Sequence, residues 1–291
     1  MDKLSIRAYG KLNLYLDITG RRQDGYHLLR SVMQSVSIYD TLDFELTPGE
    51  GIEIICDLPG FPLDSSNLIC KAWELYFRET NTSPKGRLTV RVDKQIPSMA
   101  GMAGGSADGA AALTAINILQ GNLLDSDALR RLGSKLGADV PFTLFGGTLL
   151  CEGIGESLTK IDSVKDLYFA VVRPNVSIST PAAYKAYDAK EQPKKKSYSA
   201  FAEAVRIGEP QLIAGALFNA LEAAIEEPEI EAAKQKLLEY GALGALMTGS
   251  GSAVFGIFAD RQSACRCIER MVDYPFAKVL EPVDHGLEIM R

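Results

Sequence analysis

Residues 97–107 are almost all small, and they lie between a predicted strand and an alanine-rich predicted helix. Small side chains let the backbone approach a ligand closely. The start of a helix offers unpaired N–H groups and a positive dipole end, which favour a phosphate group, and the hydroxyl of Ser106 could reach a phosphate or a metal ion. The spacing is that of neither a Walker A loop nor a GxGxxG sequence. The stretch predicts a phosphate-binding loop, with a glycine turn that permits tight helix–strand packing as the alternative.

Two charged residues lie in otherwise uncharged surroundings. Asp139 is placed where a predicted helix gives way to extended chain, and a carboxylate at such a point is either a helix cap or a general base. Lys11 lies in a predicted strand between apolar neighbours. It could instead be an edge lysine whose ammonium group reaches solvent. The residues alone leave both pairs of alternatives open.

Strands and helices are both frequent around these residues. Hydrophobic periodicity predicts strands over 5–18, 32–46, 52–55, 88–92, 146–151 and 167–172, and helices over 66–80, 109–119 and 126–136. Ser66 is the predicted cap of the first helix. Residues 198–240 are predicted to be largely helical, and the chain then returns to strand, glycine turn, strand, helix and strand. Because the two types do not alternate regularly, the pattern favours an α+β fold over a doubly wound sheet.

Composition narrows the classes of function. A length of 291 residues predicts about two domains, and a net charge of −6 argues against a general nucleic-acid binder. The five cysteines form no CxxC pair and only two histidines accompany them, which argues against a zinc site and for a reduced, cytosolic chain. Residues 1–10 lack the apolar core of a signal peptide. Residues 240–259 are uncharged and long enough to cross a bilayer, but their glycines and hydroxyls predict strand, turn and strand.

Several stretches resemble, in order along the chain, motifs of the GHMP kinase superfamily, which includes galactokinase and the homoserine, mevalonate and phosphomevalonate kinases. Residues 96–108 resemble its phosphate-binding motif, with Met102 in place of the usual leucine and Ala103 as a further small residue. Residues 247–255 resemble its C-terminal glycine motif. Residues 8–16, 22–27 and 136–142 resemble segments of one family within it, the 4-diphosphocytidyl-2-C-methyl-D-erythritol kinases, although Gly10 interrupts the first of these segments.

The resemblance implies a two-lobed α+β kinase fold with the active site in the cleft between an N-terminal domain (1–160) and a C-terminal domain (161–291). It implies phosphorylation of the 2-hydroxyl of 4-diphosphocytidyl-2-C-methyl-D-erythritol by ATP with Mg²⁺, a step of the non-mevalonate isoprenoid pathway. Nucleic acids and membranes are not expected as partners. The alternatives are a kinase of the mevalonate or homoserine type and a catalytically silent relative that binds nucleotide.

The resemblance also implies roles in catalysis and in ATP binding. Asp139 would be the general base, and Lys11 would keep it ionised and stabilise charge on the transferred phosphoryl group. Asn67 would lie near the adenosine, with a helix cap as the rival interpretation. The loop residues that would contact ATP are Pro97, Ser98, Met99, Ala100, Gly101, Met102, Ala103, Gly104, Gly105, Ser106 and Ala107.

The substrate would be held at several further positions. By resemblance, His27 hydrogen-bonds the edge of the cytosine, and Tyr26 and Tyr184 stack on its two faces. An ordinary loop histidine and a core tyrosine are the alternatives. Further contacts implied are Asn13, Gly249 and Ser250. Residues 194–196, three lysines in a row, are predicted to be a solvated loop rather than a phosphate-capturing one.

Overall fold

The computed structural model describes residues 2–191 and 195–290. In chain order its strands are β1 (Lys3–Arg21), β2 (His27–Thr47), β3 (Ile52–Ile55), β4 (Arg87–Asp93), β5 (Thr148–Gly153), β6 (Ser157–Lys160), β7 (Tyr168–Arg173), β8 (Phe218–Asn219), β9 (Gly244–Met247), β10 (Val254–Phe258), β11 (Phe276–Leu280) and β12 (Leu287–Met290). The α-helices are α1 (Leu68–Thr80), α2 (Gly104–Gln120), α3 (Ser126–Leu136), α4 (Val140–Phe145), α5 (Thr180–Asp188), α6 (Tyr198–Ile207), α7 (Pro210–Ala216), α8 (Pro228–Glu239) and α9 (Arg261–Ile268). The predicted α+β class is confirmed.

The strands form two sheets. The first has the order β12-β1-β2-β4-β3, with β5 added to β2, β6 to β5 and β8 to β1. The second has the order β11-β7-β10-β9 and is antiparallel throughout. Strands β8 and β12 come from the later part of the chain, yet both pair with β1. The first sheet is therefore completed by residues from both predicted domains.

The long pair β1 and β2 forms the backbone of the first sheet. Leu12, Leu14 and Leu16 of β1 are buried, but Asn13 and Tyr15 between them are buried as well. The strand is therefore buried on both faces here, not on the single face that the alternation predicts. At Gly10 the register shifts, and a Cβ there would lie 3.3 Å from a methyl group of Ile38. The backbone N–H of Lys11 donates to the carbonyl of Met102 at 3.1 Å. Gly10 thus lets the loop before α2 lie directly against β1.

Several local predictions need correction. The cap of α1 is Asn67, whose side chain accepts from the N–H of Ile69, so the prediction of Ser66 as cap is wrong. The chain after Gly137 does not become extended but enters α4, which has Pro141 in its first turn. Strands β6, β8 and β12, of two to four residues each, were not predicted.

Lys195 and Lys196, in the lysine run after α5, are exposed and lie in neither helix nor strand, which agrees with the predicted solvated loop. Lys194 lies outside the described residues. Lys195 donates to Asp17 at 2.8 Å and to the carbonyl of Ile18, and the Lys196 ammonium donates to the carbonyl of Leu217 at 3.0 Å, at the end of α7. Both lysines fasten the segment to its neighbours. No helix within the described ranges is long and apolar enough to cross a membrane.

Candidate active site

Lys11 lies in β1 at the meeting point of the two sheets. Its side chain is 4% exposed, which rules out the edge-lysine alternative. The ammonium donates to Asn13 Oδ1 at 2.6 Å and to the carbonyl of Gly101 at 2.7 Å. Its Nζ also lies 3.7 Å from Asp139 Oδ2. A buried ammonium needs such partners, because desolvation without them is costly.

Asp139 occupies the cap position of α4, but its side chain makes no capping hydrogen bond. The carboxylate is 29% exposed and lies beside Lys11. Burial, with the charge of Asp139 as a lesser cause, raises the pKa of Tyr184 to about 12. The negative charge of Asp139 therefore acts on the tyrosine that the resemblance assigns to the substrate. The missing cap bond argues against the helix-cap interpretation of Asp139 and leaves its carboxylate available as a base.

The turn between β9 and β10 brings the second sheet to this lysine. The Thr248 hydroxyl accepts from the backbone N–H of Asn13 at 2.9 Å and lies 3.3 Å from the Gly101 carbonyl. Gly101 has φ +74°, and a Cβ on it would lie 2.1 Å from the carbonyl oxygen of Thr248. A Cβ on Gly249 would lie 3.3 Å from the Lys11 ammonium. These glycines permit the loop, the turn and the lysine to touch.

Asn219, on β8, is a buried residue that sequence reasoning missed. Its amide donates to the carbonyls of Met247 and Gly249, both at 2.8 Å, and its Oδ1 accepts from the N–H of Leu221 at 2.9 Å. Since β8 pairs with β1, Asn219 fixes the glycine turn relative to the strand that carries Lys11. An amide inside the apolar run 217–221 was the available signal.

The glycine loop enters α2 through left-handed backbone. Met99 has φ 53° and Ala103 has φ 61°, a conformation that is strained for residues with a Cβ. The helix starts at Gly104 without a side-chain cap, so its first N–H groups remain available for a ligand. A Cβ on Gly105 would meet nothing within 4 Å. The geometry is that of an open anion site at a helix start.

A buried charge cluster, which sequence reasoning missed, links the segment before the glycine loop to the helix after it. Lys94 forms ion pairs with Asp40, on β2, and with Asp108, on α2, the latter at 2.7 Å. Asp40 also accepts from the backbone N–H groups of Gln95 and Ile96, at 2.6 and 2.9 Å. Burial lowers the pKa of Lys94, but the two carboxylates outweigh it and the net shift is upward.

The two carboxylates of this cluster are not equivalent. Asp40 has three donors, whereas the Oδ1 of Asp108 is buried without a hydrogen-bond partner. Burial raises the pKa of Asp108 to about 8; the Lys94 charge opposes this rise and the Asp40 charge adds to it. One ammonium cannot fully compensate two buried carboxylates, so Asp108 is the one that takes up a proton.

We expect Asp108→Asn to reduce the loss of stability that accompanies a rise in pH toward 8. Because the folded pKa of Asp108 is raised, its stabilising contribution is complete below about pH 4 and disappears as the pH rises toward 8. Between pH 5 and pH 8 the wild-type free energy of unfolding should therefore fall by on the order of 4 kcal/mol more than that of the variant. Urea unfolding across this range measures the difference. Asp93→Asn, an exposed neutralisation, should follow the wild-type curve; parallel curves for all three proteins would contradict the assignment.

The predicted substrate end of the site lies where β2 begins and α5 packs. The His27 ring stacks on Tyr184, with centroids 4.7 Å apart and 22° between the planes. Tyr26 is 63% exposed. The Ser250 hydroxyl lies 3.0 Å from that of Thr180. Of the sequence-predicted residues here, His27 and Tyr184 are brought into contact, and Tyr26 is available at the surface.

Asn67 is placed differently from the other candidates. Besides capping α1, its Nδ2 donates to the carbonyl of Pro62 at 2.7 Å, and the residue is buried. The bond from the Ile69 N–H is that of a helix cap, the rival interpretation, and the bond to Pro62 ties the same side chain to the preceding loop. A contact to adenosine stays a prediction.

Comparison with known proteins places this site in a family. The family model for the GHMP kinases N terminal domain matches residues 67–147, and that for the GHMP kinases C terminal domain matches 189–276. The chain is similar to 4-diphosphocytidyl-2-C-methyl-D-erythritol kinases of Clostridium tetani, at 40% identity over 92% of this chain and 95% of that protein, and of Clostridium acetobutylicum, at 38% identity over 90% and 93%.

Solved structures agree with these relatives. A crystal structure of 4-(cytidine 5'-diphospho)-2C-methyl-D-erythritol kinase matches with a TM-score of 0.78 and 30% identity, over 95% of this chain and 99% of that one. Methanococcus jannaschii mevalonate kinase matches with a TM-score of 0.75 at 13% identity, over 99% and 98%, which shows a shared fold alone.

Both halves of the fold therefore define a GHMP kinase, with a glycine loop from one half and a glycine turn from the other on the same lysine. Within that class, identities of 38–40% over nine tenths of the chain decide the family. The chain belongs to the 4-diphosphocytidyl-2-C-methyl-D-erythritol kinases.

Proposed function

We propose that this chain transfers the γ-phosphoryl group of ATP to the 2-hydroxyl of 4-diphosphocytidyl-2-C-methyl-D-erythritol, a step of the non-mevalonate isoprenoid pathway. The observation that carries the proposal is the contact between Lys11 and Asp139, 3.7 Å apart beside the glycine loop. Phosphoryl transfer needs positioning, charge neutralisation and removal of the acceptor proton. The other features of the site supply these in turn.

Asp139 is the proposed general base. Its carboxylate, which makes no capping bond, accepts the proton of the acceptor hydroxyl as the oxygen attacks phosphorus. Lys11 is held by Asn13 and Gly101, so its ammonium stays at a fixed position when charge moves onto the transferred group. The product is a phosphate monoester on the substrate and ADP.

ATP is proposed to place its phosphates on the glycine loop, residues 97–107, where the N–H groups at the start of α2 are available. Among the described residues no group of three or more acidic, histidine or cysteine side chains could hold a metal ion. This fits a Mg²⁺ ion that is held mainly by nucleotide phosphates and water, as is usual for this ion. Ser106 is the proposed protein contact, and the ion supplies charge neutralisation when bound.

The cytidine end is proposed to lie against His27, Tyr184 and Tyr26. Gly249 and Ser250, in the turn that reaches Lys11, would border the diphosphate and methylerythritol part. We further propose residues 1–160 and 161–291 as the two domains around the cleft. A cytosolic location is proposed as well, supported by five cysteines that are all free thiols.

An ATP-consumption assay with three acceptors tests the function. We expect turnover with the cytidylyl substrate and none with mevalonate or homoserine, and phosphorus NMR of the product should show a new monoester at the 2-position. Turnover with mevalonate or homoserine would favour the other enzyme interpretation. Nucleotide binding without turnover on any acceptor would favour a silent relative.

A further inference from the structure

His27 is anchored through one of its two ring nitrogens. Its Nε2 lies 2.7 Å from Asp188 Oδ1, at the last residue of α5. An ionised carboxylate can only accept a hydrogen bond, so this contact requires the proton on Nε2. Arg21 Nη1 lies 3.5 Å from the other oxygen of Asp188 and keeps a positive charge beside the carboxylate.

Two aromatic rings fix the plane of the same imidazole. Tyr184 stacks on one face, and the Tyr187 ring approaches edge-on, with centroids 6.3 Å apart and 89° between the planes. The His27 side chain is only 11% exposed. A rotation of the ring that exchanged its nitrogens would break the bond to Asp188 and disturb this packing.

The second nitrogen is left as an acceptor. A neutral imidazole carries one proton, so protonation at Nε2 leaves a lone pair on Nδ1. Within residues 2–191 and 195–290 no protein group hydrogen-bonds Nδ1 of His27. An acceptor can receive a hydrogen bond from an exocyclic amino group but is repelled by a carbonyl oxygen. Cytosine carries an amino donor at C4, where uracil carries a carbonyl.

We propose that Asp188 determines specificity for the pyrimidine. It holds His27 with the proton on Nε2, so that Nδ1 accepts from the cytosine amino group and rejects the uridine analogue. The inference rests on the proposed function, because it assigns the base of that substrate to His27. Asp188 acts through His27 and is therefore a positioning residue. Nothing in the sequence motifs points to it, since it lies outside the segments that resemble the family.

The tautomer can be measured without any substrate. The chain has two histidines, so His285→Gln leaves His27 as the only imidazole signal. Nitrogen-15 NMR at about pH 8.5, above the ordinary imidazole pKa of about 6.5, reports which nitrogen is protonated. We expect a protonated Nε2 and a bare Nδ1. In Asp188→Asn the carboxamide can either accept or donate, so both tautomers should be present. A proton on Nδ1, or an unchanged pattern in Asp188→Asn, would overturn the proposal.

Selectivity provides the functional test. The ratio of kcat/KM for the cytidylyl substrate to that for its uridylyl analogue should fall at least about tenfold in Asp188→Asn and Asp188→Ala, mainly through KM for the cytidylyl substrate. Glu226→Gln is the matched control, because it removes an exposed carboxylate paired with Lys190 near the end of α5. Its ratio should equal the wild-type ratio. If Asp188 had a purely structural role, its replacement would lower kcat/KM for both substrates equally. The ratio would then be unchanged, which would contradict the proposal.

The two proposals can fail separately. If the wild-type protein does not phosphorylate the cytidylyl substrate, the proposed function is wrong, whatever the tautomer of His27. If it does, and the selectivity of Asp188→Asn stays within about twofold of wild type, the function stands and the role of Asp188 is wrong.

Discussion

Asp139→Asn is expected to lower kcat by about 10³-fold while leaving the KM for both substrates within a few-fold of wild type. The amide keeps the shape of the carboxylate but cannot take the acceptor proton. It also leaves Lys11, whose ammonium lies 3.7 Å away, without its negative neighbour. Steady-state kinetics with saturating ATP measures the loss, and thermal unfolding shows whether the fold is retained.

Asp260→Asn is the matched control for this prediction. Asp260 also occupies the cap position of a helix, α9, but its side chain accepts from the N–H of Ser263. Asparagine can take over a capping bond, so this variant should keep full activity and stability. If Asp139→Asn kept wild-type kcat as well, Asp139 would not be the base.

Gly105→Val is expected to raise the dissociation constant of ATP at least about tenfold, which corresponds to about 1.4 kcal/mol, with little effect on the cytidylyl substrate. A Cβ at Gly105 meets nothing within 4 Å outside its own turn of helix, so a Cβ has open space at this position. It would instead occupy the space in front of the N–H groups at the start of α2, where the phosphates are proposed to lie. Gly104 is less suitable, because a Cβ there would lie 3.0 Å from Ile96 and disturb the core.

Gly215→Val separates ligand binding from helix effects. Gly215 lies in α7 and is exposed, and a Cβ on it would likewise meet no protein atom within 4 Å. The substitution should change stability to a similar extent as Gly105→Val and leave ATP affinity unchanged. Isothermal titration with a non-hydrolysable ATP analogue measures the nucleotide affinity of both variants. A larger loss of affinity for the cytidylyl substrate than for ATP in Gly105→Val would move the loop to the other ligand.

The sequence alone predicts those parts of the candidate site that lie within one short segment of the chain. Residues 97–107 combine small side chains with a following helix, and the structure places them at the start of α2 as expected. The long strands β1 and β2 follow from alternation over many residues. The neighbours of Lys11 could not be derived in this way, because its ammonium contacts residues 2, 90 and 128 positions away in the chain, and local periodicity does not encode such distances.

The supporting residues were missed for a related reason. Asp40, Lys94 and Asp108 come from β2, the segment after β4, and α2, and each alone is an ordinary charged residue. Asn219 lies on a strand of two residues, too short for a periodic pattern, and only its place inside an apolar run marked it out. For Asn67 the local pattern was ambiguous, because it suited both a helix cap and a ligand contact. In the structure its side chain caps α1 and also donates to Pro62.

The order in which strands enter the first sheet constrains how this protein can be made in the cell. Strand β1, which carries Lys11, pairs with β12 through Ser5↔Met290 and its neighbours, and with β8 through Leu16↔Asn219. A ribosome that has completed only the first half of the chain has therefore not yet supplied either of these partners. One edge of β1 stays open until the last strand emerges, and such long-range closure is slow and exposes apolar surface to aggregation. From this topology we expect that the first half of the chain does not fold early by itself. It needs protection from aggregation until the later strands have been made.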